Sequence, residues 1–256
     1  MNSFGADKYY YVGGVEPAEL KKLGNCLWRS SGVNAAYDEI MNLNNPEDIW
    51  EIRVAAEYSE VMTPATRVVM DGLQSNGSAS VSKVRGIYGS RVWDANTGTH
   101  DAVGTDYSRK STLDGNYAVG GGLIQITSAS GMTTGPVIDA LKLTRGYLGS
   151  SSDSYSAGLY CTVSKTTLSN LEICSNRVAV GCGGRYGIAL KLVSSDNLVT
   201  DCYFHDNTNS TAGDAYLQTV QISGDRNLVR NCLFVRNSAQ EEAGLRLTGS
   251  NAKGQG

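Results

Sequence analysis

Two six-residue phrases, Cys202-Tyr203-Phe204-His205-Asp206-Asn207 and Cys232-Leu233-Phe234-Val235-Arg236-Asn237, stand 30 residues apart. The same lead-in, Asn-Leu-Val-x-(Asp/Asn), precedes both, at Asn197–Asp201 and Asn227–Asn231. Weaker copies run from Thr167 to Asn176 and from Val137 to Leu143. Self-similarity at a fixed period signals stacked structural units, each of which buries its apolar side only against its neighbours. An isolated unit of this kind does not fold, so the period constrains the chain more tightly than any composition.

Inside each phrase the apolar positions break step. Val199, Cys202 and Phe204 should all face a core, yet side chains of a straight strand alternate strictly between faces. A bend at Asp201 restores the phase. The equivalent positions in other units are Ala140, Asn170 and Asn231, and Asn and Asp tolerate left-handed backbone geometry. Stacked about 4.8 Å apart, Asn170, Asp201 and Asn231 should form a ladder that starts one coil after Ala140. A second ladder, Asn176, Asn207 and Asn237, marks the turn that closes each phrase. Second-half segments repeat as well, Leu190-Lys191-Leu192 matching Val220-Gln221-Ile222. About three short strands per coil are expected.

The front of the chain reads differently. Residues 8–12 form an aromatic-rich strand, and 13–27 a loop. Val33, Ala36, Tyr37, Ile40 and Leu43 share one helical face, with Ser30 or Ser31 as cap and Asn44-Asn45-Pro46 as stop. Residues 48–54 alternate as a half-buried strand. Strands follow at 67–70, 81–89, 111–116 and 123–126, with a polar excursion over 90–110. Regular coils begin at about residue 136. The expected organisation is an N-terminal strand and helix cap over 1–60 leading into the first coil, then a solenoid over 61–256.

Net charge is −3 and hydrophobic content 41%. Interspersed charges without a basic stripe argue against a nucleic-acid partner, and no apolar run is long enough to span a bilayer. No secretory leader pattern opens this chain. Six cysteines and two histidines occur without a CxxC pair, so neither a zinc site nor a disulfide is expected. Cys202 and Cys232 are read as small buried hydrophobes.

The Cys-x-Phe-x-x-Asn phrases resemble the repeats of polymorphic outer-membrane proteins and related right-handed parallel β-helix proteins. Ala243-Gly244-Leu245 and Ala157-Gly158-Leu159 occupy the place of that family's Gly-Gly-(Ala/Ile) element, with one Gly kept. Tyr11-Val12, Trp28-Arg29-Ser30, Ala35-Ala36-Tyr37, Ile49-Trp50-Glu51-Ile52 and Leu113-Asp114-Gly115-Asn116 follow the order seen in bacterial surface β-helix proteins. The resemblance implies an all-β solenoid: a right-handed, single-stranded parallel β-helix of the pectin-lyase-like class, with an amphipathic helix capping its N-terminal end. For function it implies surface adhesion or display at the cell exterior, or else polysaccharide cleavage; fold does not choose between them.

Lyases of this class use a Ca²⁺-binding carboxylate cluster with a Lys, Arg, His or Tyr base; its hydrolases use clustered Asp residues. No Asp-Asp pair and no Arg-Ile-Lys occurs here. The residues closest to a catalytic constellation are His205, Asp206 and Arg236, with Ser175 at the equivalent position one coil earlier. The simpler expectation is that Asp206 and Arg236, one rung apart, form a solvated ion pair, as do Lys142 and Glu172. Tyr203 and Leu233 should point outward on the same face, where they offer a platform for a sugar or a partner. Polar loops at 90–110, 149–156 and 208–216 are longer than turns require.

The expected function is thus a non-catalytic, exported bacterial surface or adhesin-like display module facing a polysaccharide or host-cell ligand. The alternative is a carbohydrate-active enzyme, a lyase or glycosidase. No cofactor is expected, Ca²⁺ entering only with a lyase. The chain stops partway into a coil without a capping pattern, so further coils or a partner are expected at that end.

Overall fold

The computed structural model describes residues 8–14, 26–43, 48–71, 83–94, 99–102, 109–118, 120–127, 134–149, 155–179, 186–209, 217–239 and 241–255. Its strands stack into a ten-stranded sheet, two six-stranded sheets and a three-stranded sheet. Neighbours within each sheet come from successive chain segments, and their pairing is parallel except for one antiparallel hairpin on the large sheet; no sheet closes into a barrel among the described residues. This architecture is consistent with a β-solenoid. Register follows the repeat: Leu168 pairs with Val199 and Val199 with Val229, while Ile173 pairs with Phe204 and Phe204 with Phe234.

The bend expected at Ala140, Asn170, Asp201 and Asn231 is present in all four, with φ of 54°, 52°, 56° and 51°. It turns Val199, Cys202 and Phe204 into one buried column. Two further left-handed corners recur in each coil, at Arg145, Ser175, Asp206 and Arg236 and at Lys165, Asp196, Arg226 and Asn251. Short strands between these corners produce the phase breaks of the sequence.

The closing-turn ladder is built as expected. Asn176 Nδ2 donates to Asn207 Oδ1 at 2.9 Å, and Asn207 Nδ2 to Asn237 Oδ1 at 3.0 Å. Each oxygen also accepts the backbone N–H of the preceding Asn, and Gly146 N–H begins the series on Asn176 Oδ1. Asn176 and Asn207 are fully buried, so these bonds satisfy amides that would otherwise lie dry. At the bend the pattern departs from expectation. Asn231 Nδ2 reaches Asp201 Oδ1, but Asn170 Nδ2 reaches Asp139 Oδ1, in the strand before Ala140. The rung at Ala140 is therefore joined through its neighbour rather than skipped.

A third ladder was not foreseen. Asn227 Oδ1 accepts both the backbone N–H and Nδ2 of Asn197 at 2.9 Å, and Asn197 Oδ1 accepts Thr166 N–H. Its residues open the repeated lead-in, so the signal stood in the sequence.

One apolar cluster runs from Tyr10 and the helix through every coil to Val229. The helix spans Val33–Asn42 and buries Val33, Ala36, Tyr37, Ile40 and Met41. Its cap is neither Ser30 nor Ser31 but Gly32 in a left-handed conformation, with no side-chain cap. Tertiary partners replace the serine: Tyr58 Oη accepts Gly32 N–H and Glu60 Oε2 accepts Val33 N–H. Asn34 Oδ1 in turn accepts the N–H of Val69, in the end strand of one six-stranded sheet. The helix thus covers part of an open edge, which is how solenoids avoid edge-to-edge association.

Three other expectations need correction. The loop expected over 13–27 ends in structure: Cys26–Arg29 form a strand at the edge of the large sheet. The strand expected as half-buried spans Trp50–Ala55 and is covered on both faces. Its outward Glu51 is nearly buried under Arg53 and Arg85, which both pair with it. The polar excursion after residue 90 is in part an antiparallel hairpin, Val84–Asp94 pairing with Thr99–Ala102. Residues 95–98 and 103–108 of that loop, and most of the loops at 149–156 and 208–216, lie outside the described residues.

Candidate functional site

The outward face of the sheet that stacks Leu141–Thr144, Glu172–Cys174, Tyr203–His205 and Leu233–Val235 carries a linked cluster of charged and polar side chains. Two rows of side chains cross it. Parallel register aligns Lys142, Glu172, Tyr203 and Leu233 in one row, and Thr144, Cys174, His205 and Val235 in the next. The left-handed corner places Ser175, Asp206 and Arg236 immediately beyond.

These rows join into a chain of charge. Lys142 Nζ lies 2.6 Å from Glu172 Oε1, which lies 3.2 Å from His205 Nε2. His205 Nδ1 is 2.7 Å from Asp206 Oδ2. Arg236 closes the chain with a two-pronged bond, Nε to Oδ1 at 2.7 Å and Nη2 to Oδ2 at 2.8 Å. The expected pairs Asp206–Arg236 and Lys142–Glu172 are both present, and His205 links them. Tyr203 stacks on His205 with ring centroids 4.2 Å apart, which fixes the imidazole plane.

Electrostatics follow from these contacts. Hydrogen bonds from Arg236 and then His205 hold the Asp206 carboxyl far below its usual range. Burial pushes Glu172 upward, but Lys142 and His205 outweigh it, and the net shift is downward. Lys142 moves up, since its bond to Glu172 and nearby negative charge outweigh burial. Burial raises the Cys174 thiol, whose sulfur lies 3.4 Å from Thr144 Oγ1 and 3.8 Å from Glu172 Oε1.

Beside the chain lies a pocket of about 330 Å³ lined by Lys110, Glu172, Asp201, Cys202, Tyr203, Asn231 and Leu233. Both expected platform residues, Tyr203 and Leu233, line it, and Leu233 is 57% exposed. Lys110 enters from outside the repeats and was not anticipated; burial lowers its ammonium pKa. Asp201 and Asn231 hold the pocket edge through their mutual bond.

Cys202 is buried in the core and Cys232 is packed against it. Both are free thiols, as are Cys26, Cys161 and Cys174. Sequence reasoning did not pair Cys174 with His205, although Glu172, Cys174 and His205 present donor atoms within 4.8 Å of one another. Two of these residues sit in one coil and the third in the next, so no local spacing announces them.

No protein-family profile, curated protein sequence or solved structure matches the chain.

Proposed function

We propose that this chain is a right-handed, single-stranded parallel β-helix of the pectin-lyase-like class acting as a non-catalytic surface module. It is exported from a bacterium and presents its lateral face to a polysaccharide or another cell-surface ligand. The repeat resemblance supports the class and the location. The observation that carries the non-catalytic reading is the state of the carboxylates. A general acid needs a pKa raised toward the working pH, whereas Glu172 and Asp206 are each held by two cationic or imidazole partners and shifted the other way.

Tyr203, Leu233 and the polar rim of Lys110, Glu172, Asp201 and Asn231 give the pocket an aromatic-apolar floor with hydrogen-bonding edges. Sugar rings ask for that combination, as do most small-ligand sites. One observation favours the lyase alternative. Lys110 is a buried lysine with a lowered pKa at the pocket wall, the property of a proton-abstracting base.

A panel of acidic and neutral polysaccharides separates the two. The module reading expects binding that Tyr203→Ala weakens, with no new reducing or unsaturated ends. Product formation that Lys110→Gln abolishes would establish the enzyme instead.

A further inference from the structure

We propose that Glu172, Cys174 and His205 form a divalent-metal site of the zinc class, with Asp206 orienting the histidine. The inference rests on the geometry of the donors and is independent of the module reading. Carboxylate, thiolate and imidazole are the ligands that zinc selects, and three protein ligands leave a fourth position for water or a ligand group. A tetrahedral ion with ordinary bond lengths separates its N and O donors by about 3.4 Å and its S and O donors by about 3.6 Å. Here His205 Nε2 and Glu172 Oε1 are 3.2 Å apart, and Cys174 Sγ and Glu172 Oε1 are 3.8 Å apart. Two of the three donor spacings therefore stand close to those such an ion imposes, and the third, Cys174 to His205, is no more than 4.8 Å.

The second coordination layer is also in place. Asp206 Oδ2 lies 2.7 Å from His205 Nδ1. A proton held on Nδ1 leaves the Nε2 lone pair directed at Glu172 and Cys174, the carboxylate–histidine arrangement that orients metal ligands. Arg236 locks that carboxylate from the other side, and the Tyr203 ring fixes the imidazole plane. The site is two rungs wide, and its elements are rigid parallel strands paired through Cys174 and His205.

Lys142 opposes the ion. Its Nζ holds Glu172 Oε1 at 2.6 Å, and Lys110 adds positive charge near the same carboxylate. Binding must displace the Lys142 contact and the His205 Nε2–Glu172 hydrogen bond, releasing the proton held in that bond and the proton of the buried Cys174 thiol. Affinity should therefore rise with pH, and Lys142→Met should tighten it.

The test is cobalt titration of the full chain under reducing conditions, followed by displacement with zinc. The expected result is one Co²⁺ per chain with intense tetrahedral bands and a sulfur-to-cobalt charge-transfer band, all lost on adding Zn²⁺. Cys174→Ser should remove the sulfur band, and Cys161→Ser should keep it. Asp206→Asn should keep the band but weaken binding by about 10–100-fold. Far-UV circular dichroism checks that each variant is folded. Should Cys174→Ser fail to fold, the wild-type spectrum and His205→Gln, expected to weaken cobalt binding strongly, decide the matter. Octahedral cobalt without a sulfur band, or a band that survives in folded Cys174→Ser, would overturn the proposal.

Discussion

Asn207 Oδ1 accepts two hydrogen bonds from one residue, the backbone N–H of Asn176 at 3.1 Å and its Nδ2 at 2.9 Å. The Nδ2 of Asn207 meanwhile crosses back to Ile173 O and forward to Asn237 Oδ1. One buried amide thus ties three successive coils, and both its polar atoms are used. Every turn in this row depends on the asparagine of the following coil, which explains why the closing residue of the phrase is repeated while Tyr203 and Leu233, on the outer face, differ.

Ala140 is the one bend residue of its row without a polar side chain, and it is held at φ 54°. Left-handed geometry costs an L-residue about 1–2 kcal/mol, while glycine loses about 0.5–1 kcal/mol of extra backbone entropy on folding. Ala140→Gly should therefore stabilise the protein by about 0.5–1 kcal/mol on those figures, and Ala140→Val should destabilise it. Chemical denaturation of the two variants checks the sign.

Phe204 and Phe234 stack with centroids 5.0 Å apart, but only Phe204 is fully enclosed. Truncating an enclosed phenylalanine costs about 3–5 kcal/mol through lost burial and the cavity left behind. Phe204→Ala should reach that range and Phe234→Ala should fall well short of it. Equal losses, read from denaturation midpoints, would mean that the last described coil is covered in solution.

Glu172 and Asp206 both have folded pKa values below their ordinary ones. Groups of this kind add stability above the unfolded carboxylate pKa, about 4, and lose it as the pH falls through the lower folded values. Wild type should therefore melt higher than Asp206→Asn at neutral pH, with the gap closing as the pH drops below about 4. Thermal midpoints across a pH series read this directly. A gap that widens in acid would assign the shifts the wrong sign.

What the sequence disclosed depended on whether a property repeats. Bends at Asn170, Asp201 and Asn231, the Asn176–Asn207–Asn237 ladder and the inward Cys202 and Phe204 all recur with the coil, and each was legible. The Asn197–Asn227 ladder recurs too and was overlooked in the same lead-in. Unrepeated contacts were not legible. Tyr58 and Glu60 serve the helix start from a distant strand, so a local serine was the natural but wrong choice. Lys110 reaches the pocket from outside the regular coils. His205 meets Glu172 and Cys174 only because parallel register sets residues about one coil apart side by side.

The central claim is that the repeated phrase specifies coil stacking, while the charged side chains beside it decorate a finished surface. Comparing Asn207→Ala with Arg236→Ala in equilibrium denaturation tests this most directly. Asn207→Ala strips partners from two donors of Asn176 and from Ile173 O. At about 1–2 kcal/mol for each of these three groups left unsatisfied, the loss should be about 3–6 kcal/mol. Arg236→Ala should lower the neutral-pH midpoint far less than Asn207→Ala, because its side chain is exposed and its pairing with Asp206 is screened by solvent. A harmless Asn207→Ala, or an Arg236→Ala as damaging as the asparagine variant, would contradict the account.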